Sequence, residues 1–384
     1  MKLPSAPKIL IAPDSFKGTM TSLQAAEAIA RGLAQALPSA HLTLLPLADG
    51  GEGSAEIAAS VVGGTPNEAH VFGPDGAVLS ARYFETSNTA YIDIAAAGGL
   101  PLARKKESSV VSRTSYGTGQ LIVQAIADGK KTIYLFLGGS ATTDGGVGIA
   151  KALGFAFYRA DGTKIDSISD AQLKQQEFTG DELSLIAQIK PPEKNIGEVS
   201  FIGVTDVGNP LYGPDGAAMV YGPQKGASLS EVQILEQGLL NLASRVTQSF
   251  GTDFSAIPGA GAAGGAGYGV LAFLGGTLVH GPRYLLDLMK FNEQARDADV
   301  IITGEGRLDR QSFQGKLLAE MLERTKALGK PLFSFSGSLA LEQDFALPEH
   351  FTAFAPRSSA TSEVPEKILE HLARQVGEKL SDER

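Results

Sequence analysis

Charged side chains cluster between a strand and a helix in the segment 300–316. An apolar strand at 300–302 leads into a predicted glycine-rich polar loop that carries Glu305, Arg307 and Asp309, and an amphipathic helix follows. Glycine lets backbone N–H groups approach a ligand, and a helix N-terminus adds N–H groups at the positive end of its dipole. A segment that only turns the chain needs no such charges. We therefore predict an anion site here, at the carboxyl end of a strand.

A second group of polar side chains follows the first predicted strand, residues 8–12. Asp14, Ser15 and Lys17 come directly after it, and the next strand ends in an acidic, glycine-rich segment at 48–53. A lysine neutralises a phosphate or a carboxylate, and a serine hydroxyl donates a hydrogen bond to either group. These residues are therefore candidates for binding an anionic group.

The strand predicted at 132–137 leads into the small-residue segment GGSATTDGGVG, residues 138–148. Its hydroxyl and backbone N–H groups suit a phosphate, and the carboxylate of Asp144 suits a cation. The alternative is a loop that Asp144 caps before a helix at 149–153. Both interpretations stay open on the residues alone.

Two further polar residues have equally good structural explanations. Asp206 follows a strand and could hold Mg²⁺ or accept a hydroxyl proton, but it could also form an Asx-turn before Pro210. Lys225 lies in the turn GPQKG, where it could contact a phosphate or be solvated. None of the five histidines has the spacing of a metal site, so each is interpreted as structural or solvated.

The tract at 258–269 is the most glycine-dense in the chain and contains G-x-G-x-x-G at 259–264. A dinucleotide site requires a strand immediately before this motif, whereas residues 253–258 are polar and end in proline. Close packing on a sheet and a loop around a phosphate remain as explanations. The P-loop signature and the G-x-S-x-G elbow of serine hydrolases do not occur in the sequence.

The composition limits the class of protein. The chain has 384 residues, no cysteine and a formal net charge of −9. The acidic balance argues against nucleic acid or an anionic membrane surface as a partner. The lack of cysteine excludes disulfides, a thiolate nucleophile and thiolate metal ligands. Because the sequence shows neither a signal peptide nor an apolar run of about 20 residues, we expect a soluble, cytoplasmic protein. The oligomeric state is open, a homodimer included.

Strands and helices alternate regularly at both ends of the chain but not in its middle. The two N-terminal and three C-terminal strands predict one five-stranded, flavodoxin-like parallel sheet with crossover helices. The fold is then α/β with two domains: a discontinuous flavodoxin-like domain, residues 1–65 and 291–384, and an inserted mixed α/β domain, residues 66–290. A site in a cleft between them follows from this division. The residues indicate phosphoryl transfer without naming a substrate.

Several long motifs closely resemble those of the bacterial glycerate kinase family, whose members are called glycerate 2-kinases. They span nearly the whole chain in the order of the family: APDSFKG at 12–18, ADGGEG at 48–53, YGTG at 116–119, GGSATTDGG at 138–146, DVGNPLYGPDGA at 206–217, GPQKGA at 222–227, PGAGAAGG at 258–265 and TGEGRLD followed by Q and GK at 303–316. The resemblance implies ATP- and Mg²⁺-dependent phosphorylation of D-glycerate to 2-phosphoglycerate in an interdomain cleft. Gln120, Asp93 and Gly208 depart from the family pattern.

The resemblance also implies roles for residues within these motifs. The predicted catalytic residues are Lys17, Asp206, Arg307 and Asp309, with Asp206 or Asp309 deprotonating the attacking hydroxyl. The predicted substrate-binding residues are Asp14, Ser15, Lys17, Asp49, Glu52 and Arg307. The predicted nucleotide-binding residues are Gly138, Gly139, Ser140, Thr143, Asp144, Lys225, Gly261 and Gly264. The predicted metal ligands are Asp206 and Glu305.

Two other interpretations compete with this one. The first is a glycerate 3-kinase or a kinase of a related small hydroxy acid. The second, from another class, is a non-catalytic nucleotide or sugar-acid binding protein that kept the fold. Turnover of another hydroxy acid would favour the first, and ATP binding without turnover would favour the second.

Overall fold

The structure is a computed structural model, and it describes residues 3–103, 109–165, 180–193, 198–342, 345–356 and 364–382. Its strands and α-helices follow one another along the chain as β1 (Lys8–Ile11), α1 (Ser22–Ala36), β2 (His41–Leu44), α2 (Ser54–Val61), β3 (Thr65–Phe72), β4 (Val78–Glu85), β5 (Thr89–Asp93), α3 (Ala95–Gly98), α4 (Tyr116–Ala127), β6 (Thr132–Phe136), α5 (Val147–Ala152), β7 (Ala156–Tyr158), α6 (Gly180–Leu185), β8 (Gln188–Lys190), β9 (Ser200–Thr205), α7 (Ala217–Tyr221), α8 (Leu229–Phe250), α9 (Ala262–Ala272), β10 (Thr277–His280), α10 (Gly281–Leu288), α11 (Phe291–Asp297), β11 (Val300–Asp309), α12 (Leu317–Ala327), β12 (Leu332–Ala340), β13 (Phe351–Phe354) and α13 (Pro365–Asp382). Among the described residues, no helix combines the length and the apolar character that a membrane crossing requires.

The chain folds into two compact units. The first unit comprises residues 1–49 and 282–384, and the second comprises residues 50–281. The sequence places the boundaries later, at 65/66 and 290/291. The difference has a packing reason, because α2 lies against β4, β5 and β6 of the second unit. Likewise α10 belongs to the first unit, where Asp287 on α10 pairs with Arg324 on α12 at 2.6 Å.

The first unit is built on the predicted flavodoxin-like sheet. Its five strands run in the order β13-β12-β11-β1-β2, and all neighbouring pairs are parallel. This is the doubly wound order of flavodoxin, in which the chain switches direction across the sheet between the first and third strands of the unit, here β1 and β11. The prediction of the fold class is confirmed, and the switch point lies where ligands bind in such sheets.

The segment predicted as a glycine-rich loop at 304–309 is in fact strand, so this local prediction is wrong. The strand β11 continues to Asp309 and pairs with β12 throughout, with Glu305 opposite Ser336 and Arg307 opposite Ser338. Glycine at 304 permits this pairing, because a Cβ there would lie 2.7 Å from the carbonyl oxygen of Phe335. Since alternate residues of a strand share a face, Glu305 and Arg307 project to the same side of the sheet.

The helices α1 and α13 cover one face of this sheet together. The helix α1 begins with the predicted capping box, in which Thr21 and Gln24 each accept a hydrogen bond from the other's backbone N–H. Its contact with α13 is close, since a Cβ on Gly32 would lie 2.1 Å from the carbonyl oxygen of Glu370. The core beneath them is mostly aliphatic and includes Ile9, Ile11, Ile29, Leu33, Val300, Ile302, Ala373 and Val376.

The second unit has a mixed six-stranded sheet in the order β10-β9-β6-β5-β4-β3. The strands β5, β6, β9 and β10 are parallel, and β3 and β4 form an antiparallel edge. A short antiparallel ribbon of β7 and β8 lies apart from it. The carboxyl ends of the parallel strands lead into the segments that begin near Asp93, Gly138 and Asp206.

Candidate active site

A cavity of about 600 Å³ lies at the carboxyl ends of β1, β2, β11 and β12 in the first unit, and we call it the strand-end cavity. Open α/β sheets bind their ligands at this position. Six residues that the sequence singles out line it: Asp14, Ser15, Lys17, Asp49, Glu305 and Arg307. The fold therefore brings together two groups of residues that lie near opposite ends of the chain.

The backbone around β1 fixes the first of these groups. The Asp14 N–H donates to the carbonyl oxygen of Gly304 at 2.9 Å, which joins the segment after β1 to β11. The Lys17 ammonium nitrogen lies 2.8 Å from Oδ2 of Asp49. The Lys17 side chain is 70% exposed, whereas that of Asp49 is only 9% exposed. A fixed carboxylate thus positions an accessible cation.

Two carboxyl groups in the cavity titrate far above their usual range. Burial raises the pKa of Asp14 well above its ordinary value, and the negative charges of Asp49 and Glu305 add to this effect. Burial also raises the pKa of Glu305 to about 7, although hydrogen bonding from Ser312 and the charges of Lys316 and Lys17 oppose the rise. With a pKa of about 7, Glu305 exchanges protons near neutral pH, as catalytic carboxyl groups do.

Ser312 links Glu305 to Asp309. The Ser312 hydroxyl donates to Oε2 of Glu305 at 2.8 Å and accepts from the Asp309 N–H at 3.3 Å. The Asp309 carboxylate accepts from the Gln311 N–H at 2.9 Å and caps the short 3₁₀ helix at 310–313. Asp309 lies outside the described lining of the strand-end cavity. Its position is that of a cap beside the site, and its catalytic role stays a prediction.

Sequence reasoning missed six polar residues that line the cavity: Thr19, Thr303, Ser312, Lys316, Ser336 and Ser338. Lys316 lies at the start of α12. Ser336 and Ser338 lie on β12, opposite Glu305 and Arg307 respectively. The run SFSGS at 334–338 offered a signal, because small polar residues alternate there after an apolar strand. The signal was weak, since only the pairing with β11 shows which neighbours they face.

The hydroxyl-rich segment of the second unit is buried. Ser140, Thr143 and Asp144 are each less than about a tenth exposed, and the hydroxyls of Ser140 and Thr142 lie 2.9 Å apart. The Asp144 carboxylate accepts from the N–H groups of Ser115, Gly146 and Gly148 and from the Ser115 hydroxyl. This is the capping interpretation that the sequence left open. The Thr143 hydroxyl has no hydrogen-bond partner in the part of the chain that the structure describes.

Lys225 is neither solvated nor at the surface. It is 4% exposed, and its ammonium group donates to the carbonyl oxygen of Thr142 at 2.5 Å. Burial lowers its pKa to about 7, and the neighbouring Asp144 opposes this fall while the positive charge of Arg113 adds to it. The Arg113 guanidinium donates to the Lys225 carbonyl oxygen at 3.0 Å. Lys225 thus ties the turn at 222–226 to the buried hydroxyl-rich segment.

The predicted phosphate-binding glycines allow close backbone packing. A Cβ on Gly138 would lie 2.3 Å from Cα of Gly51, and one on Gly261 would lie 2.1 Å from the carbonyl oxygen of Pro210. A Cβ on Gly264 would lie 1.9 Å from the carbonyl oxygen of Thr142. A Cβ on Gly139 would lie 3.0 Å from the carboxylate of Glu52. Packing alone accounts for glycine at these positions, and phosphate contacts stay a prediction.

Asp93 holds the segment that carries Glu52. Its two carboxylate oxygens accept from the N–H groups of Gly53 and Ala55, at 3.0 and 3.1 Å. They cap α2, whose own N-cap residue is a glycine without a side chain. Burial raises the pKa of Asp93 to about 7, and the negative charges of Glu52 and Glu56 add to the rise. Asp93 is thus a positioning residue for an exposed acidic side chain.

Asp206 lies just after β9 in the second unit and is half-buried. Burial raises the pKa of Tyr221 to about 12, and the negative charge of Asp206 adds to this effect. The Tyr221 hydroxyl donates to Oδ1 of Asn209 at 2.6 Å, and Asn209 in turn donates to the Asp215 carbonyl oxygen. This network orders the segment after β9. Of the two predicted metal ligands, Asp206 belongs to the second unit and Glu305 to the first.

Carboxylate oxygens are suitable ligands for Mg²⁺, but few of them lie together in the described part of this protein. Within the described ranges, no three His, Cys, Asp or Glu side chains converge so that they could hold a metal ion. Magnesium in phosphoryl transfer needs fewer protein ligands, because one or two carboxylates bind it together with substrate phosphates and water. Asp14 and Glu305 provide such oxygens in the strand-end cavity.

Of the three residues that depart from the family pattern, Gln120 and Asp93 have structural roles, and Gly208 lies where a side chain would fit. The Gln120 side-chain oxygen accepts from the Phe72 N–H at 2.8 Å, which joins α4 to β3. Asp93 caps α2 as described. Gly208 is exposed, and a Cβ there would meet no described atom within 4 Å. An acidic side chain would therefore fit at 208.

Comparison with known proteins is consistent across sequence and structure. A model of the glycerate kinase family matches residues 9–381. The chain is 38% identical to the glycerate kinase of Halalkalibacterium halodurans over 377 residues, covering 96% of this chain and 97% of that protein. It is 36% identical to the glycerate 2-kinase of Escherichia coli, covering 86% of this chain and 85% of that protein. A crystal structure from Salmonella typhimurium LT2, provisionally assigned as glycerate kinase 2, is 32% identical with a TM-score of 0.79, covering 98% of this chain and 99% of that one.

Proposed function

The chain belongs to the glycerate kinase family, and we propose that it transfers the γ-phosphoryl group of ATP to the 2-hydroxyl of D-glycerate. The observation that carries this proposal is the lining of the strand-end cavity, where three acids and three cations share one site: Asp14, Asp49 and Glu305 with Lys17, Arg307 and Lys316. Phosphoryl transfer depends mostly on positioning and charge neutralisation, and this lining offers both.

The cations bind the anionic parts of the substrates. Lys17 is accessible and held by Asp49, so its ammonium group meets the D-glycerate carboxylate without a large loss of side-chain freedom. Arg307 projects from β11 on the same face as Glu305 and is mostly exposed. Its planar guanidinium binds a carboxylate or a phosphoryl group through two parallel hydrogen bonds. The substrate is then fixed with its hydroxyl beside the acidic side chains.

Glu305 accepts the proton of the attacking hydroxyl. Its pKa of about 7 leaves a large fraction of the carboxylate deprotonated at neutral pH and still basic enough to take a proton. As the 2-oxygen of D-glycerate bonds to the γ-phosphorus, the bond from that phosphorus to the β–γ bridging oxygen breaks. The proton goes to Glu305, and ADP leaves with the electron pair of the broken bond.

Magnesium fits the same cavity. When bound, Mg²⁺ neutralises the phosphate charge during transfer, and Asp14 is the carboxylate that would hold it there. The positive charge of Lys17 lowers the pKa of Asp14 against the effect of burial, and the charge of Mg²⁺ would lower it further. The roles predicted for Asp206 and Glu52 of the second unit stay predictions. Near-normal turnover in an Asp206→Asn variant would remove that residue from the catalytic group.

A coupled assay tests the reaction and its regiochemistry. ATP, Mg²⁺ and D-glycerate are mixed with the protein and enolase, and enolpyruvate absorbance is followed. A signal with enolase alone means that the 2-hydroxyl is phosphorylated. A signal that requires added phosphoglycerate mutase means a 3-kinase. If ATP binds but neither mixture gives a signal, turnover of other small hydroxy acids separates a related kinase from a non-catalytic binding protein.

A further inference from the structure

The lining of the strand-end cavity consists of two sets of residues from different elements. The polar set comes from the ends of the strands, as described above. The aliphatic set comes from the start of α12 and from one face of α13: Leu317, Leu318, Ile368, Leu369 and Leu372. On α13 these residues are one to four positions apart, so they form a continuous apolar surface. The cavity therefore combines a charged region with an apolar one.

Leu369 and Leu372 also pack in the core of the first unit, whereas Ile368 is half-buried. D-glycerate does not account for an apolar surface in the cavity lining. It is a three-carbon acid whose substituents are a carboxylate and hydroxyls, so it has no apolar face to bury. Cavities of about 300–1,000 Å³ bind ligands of drug size, which are far larger than D-glycerate. The strand-end cavity, at about 600 Å³, lies in this range. The second substrate, ATP, has a charged phosphate chain and a flat base whose faces pack on apolar side chains.

We infer that the aliphatic set receives the adenine base of ATP and that the phosphates extend toward Lys316 and the start of α12. The inference rests on the proposed kinase function. It places the nucleotide in the first unit. Sequence reasoning placed it in the second unit, at Gly138, Gly139, Ser140, Thr143, Asp144, Lys225, Gly261 and Gly264. The continuity of the apolar and charged linings within one cavity is the main argument for this occupant.

The start of α12 suits a phosphate chain. Lys316 is the N-cap residue, and among the described residues no side-chain hydrogen bond caps the helix. The eleven residues of α12 direct the positive end of the helix dipole toward its N-terminus, where Lys316 adds a full charge. Arg307 and Lys17 line the same cavity, so three cations are available to the phosphates and to the D-glycerate carboxylate.

Lys225, Asp144 and Gly264 of the second unit are less suited to this role, whereas the buried Thr143 hydroxyl has no hydrogen-bond partner among the described residues. Lys225 already donates to Thr142, and Asp144 accepts hydrogen bonds on both of its oxygens. Gly264 packs closely on the Thr142 carbonyl group, since a Cβ there would lie 1.9 Å from its oxygen. A phosphate at these groups would have to displace hydrogen bonds that are buried in the protein, and each group left unpaired then weakens phosphate binding.

Binding measurements on two arginine variants test the inference. Isothermal titration with the non-hydrolysable analogue AMP-PNP and Mg²⁺ is carried out on the wild type, Ile368→Arg and Val364→Arg. Ile368 is half-buried in the cavity lining, whereas Val364 is 60% exposed and outside the described lining. Each variant adds the same positive charge, which by itself strengthens binding of the anionic AMP-PNP. We expect Ile368→Arg to weaken AMP-PNP binding at least tenfold and Val364→Arg to change it less than twofold.

Inorganic tripolyphosphate separates the base from the phosphates. Because it lacks a base, we expect Ile368→Arg to bind tripolyphosphate no more weakly than the wild type, which also shows that the variant is folded. Equal AMP-PNP affinities of the two variants would overturn the inference. If the wild type phosphorylates D-glycerate while Ile368→Arg keeps its affinity for AMP-PNP, the subsite is wrong and the function stands. If Ile368→Arg weakens AMP-PNP binding but the wild type does not phosphorylate D-glycerate, the nucleotide subsite stands and the proposed function is wrong.

Photolabelling of the wild type gives a test without substitutions. The protein is irradiated with 8-azido-ATP and Mg²⁺, digested and mapped by mass spectrometry. We expect the label in peptides that contain Leu317 or residues 365–372, and excess AMP-PNP should prevent it. A label confined to peptides that contain residues 222–227 or 258–269 would contradict the inference and return the nucleotide to the second unit.

Discussion

The Lys17 ammonium nitrogen lies 2.8 Å from Oδ2 of Asp49, and this ion pair joins the segments that follow β1 and β2. Both residues line the strand-end cavity. The pair is asymmetric, because the aspartate is almost buried while the lysine side chain is mostly exposed. Asp49 therefore holds the lysine in place and leaves its ammonium group accessible to a ligand.

Removing this cation should impair substrate binding. We expect Lys17→Met to lower kcat/KM for D-glycerate by about 100-fold, because charge-assisted hydrogen bonds contribute roughly 1.5–3 kcal/mol. The matched control is Lys131→Met, which breaks an exposed ion pair of 3.4 Å with Glu198 in the second unit. Steady-state kinetics should show no more than a twofold change for the control. Equal effects of the two variants would exclude a binding role for Lys17.

Glu305 should control the pH dependence of the reaction. Its pKa of about 7 predicts that kcat/KM rises with pH up to about 7, as the carboxyl group loses its proton, and then levels off. Glu305→Gln cannot accept a proton, so we expect kcat to fall by about 10²–10⁴-fold and this rise to disappear. Rate measurements across neutral pH, from about 5 to about 9, test both expectations. A rise that persists in Glu305→Gln would assign the proton to another group.

Removing the Ser312 hydroxyl changes the pKa of Glu305 without altering Glu305 itself. Its hydrogen bond to Oε2 of Glu305 lowers the pKa of that carboxyl group. We expect Ser312→Ala to move the rise in kcat/KM to higher pH by roughly half a unit to one unit, since such a bond contributes about 0.5–1.5 kcal/mol. A pH profile identical to that of the wild type would show that Glu305 is not the titrating group. Loss of activity without a shift would indicate a structural role for Ser312.

Asp93 should make stability depend on pH in the second unit. Its folded-state pKa of about 7 lies above the ordinary value of 3.8, so the folded protein binds the extra proton between these values. Its contribution to the free energy of unfolding is therefore complete below pH 3.8 and is lost as pH rises through 7. We expect the free energy of unfolding of the wild type to fall relative to that of Asp93→Asn as pH rises over this range. Urea unfolding of both proteins at several pH values measures this change. A wild type that gains stability relative to Asp93→Asn as pH rises would contradict the assignment.

Gly264 should tolerate no side chain. Its φ of +70° is in the left-handed region, and a Cβ would lie 1.9 Å from the Thr142 carbonyl oxygen. The matched control is Gly251 at the end of α8, which has a φ of +77° but where a Cβ would have no described atom within 4 Å. Gly251→Ala should cost about 1–2 kcal/mol from backbone strain alone. Gly264→Ala should cost several times that, and equal denaturation midpoints would show that the contact relaxes freely.

Local signals in the sequence predicted much of the fold. Thr21 and Gln24 are three residues apart, so their capping box and the start of α1 depend only on neighbours in the chain. Apolar runs predicted the strands of the flavodoxin-like sheet, and the order of the strands followed from alternation with helices. The polar residues after β1 and β2 and on β11 were identified because strand ends are the usual ligand sites of such sheets.

Pairings between distant segments escaped this reasoning. The continuation of β11 through 304–309 depends on hydrogen bonding to β12, which glycine content alone does not predict. Asp93 lies 40 residues from the N–H of Gly53 that it caps, so no local pattern reveals the contact. Lys225 was predicted in a turn open to solvent or phosphate, yet the carbonyl group that it binds lies 83 residues away.

The sequence by itself determined which residues could do chemistry and which kind of sheet would carry them, because residue type, spacing and hydrophobic pattern are local properties. The tertiary structure decided which of these residues share one environment. Burial raises the pKa of Glu305 to about 7 and lowers that of Lys225 to about 7, although both are charged side chains in glycine-rich motifs. Only the folded chain distinguishes a carboxyl group in a cavity from a lysine enclosed in a core, since solvent access and charge proximity arise from contacts between distant segments.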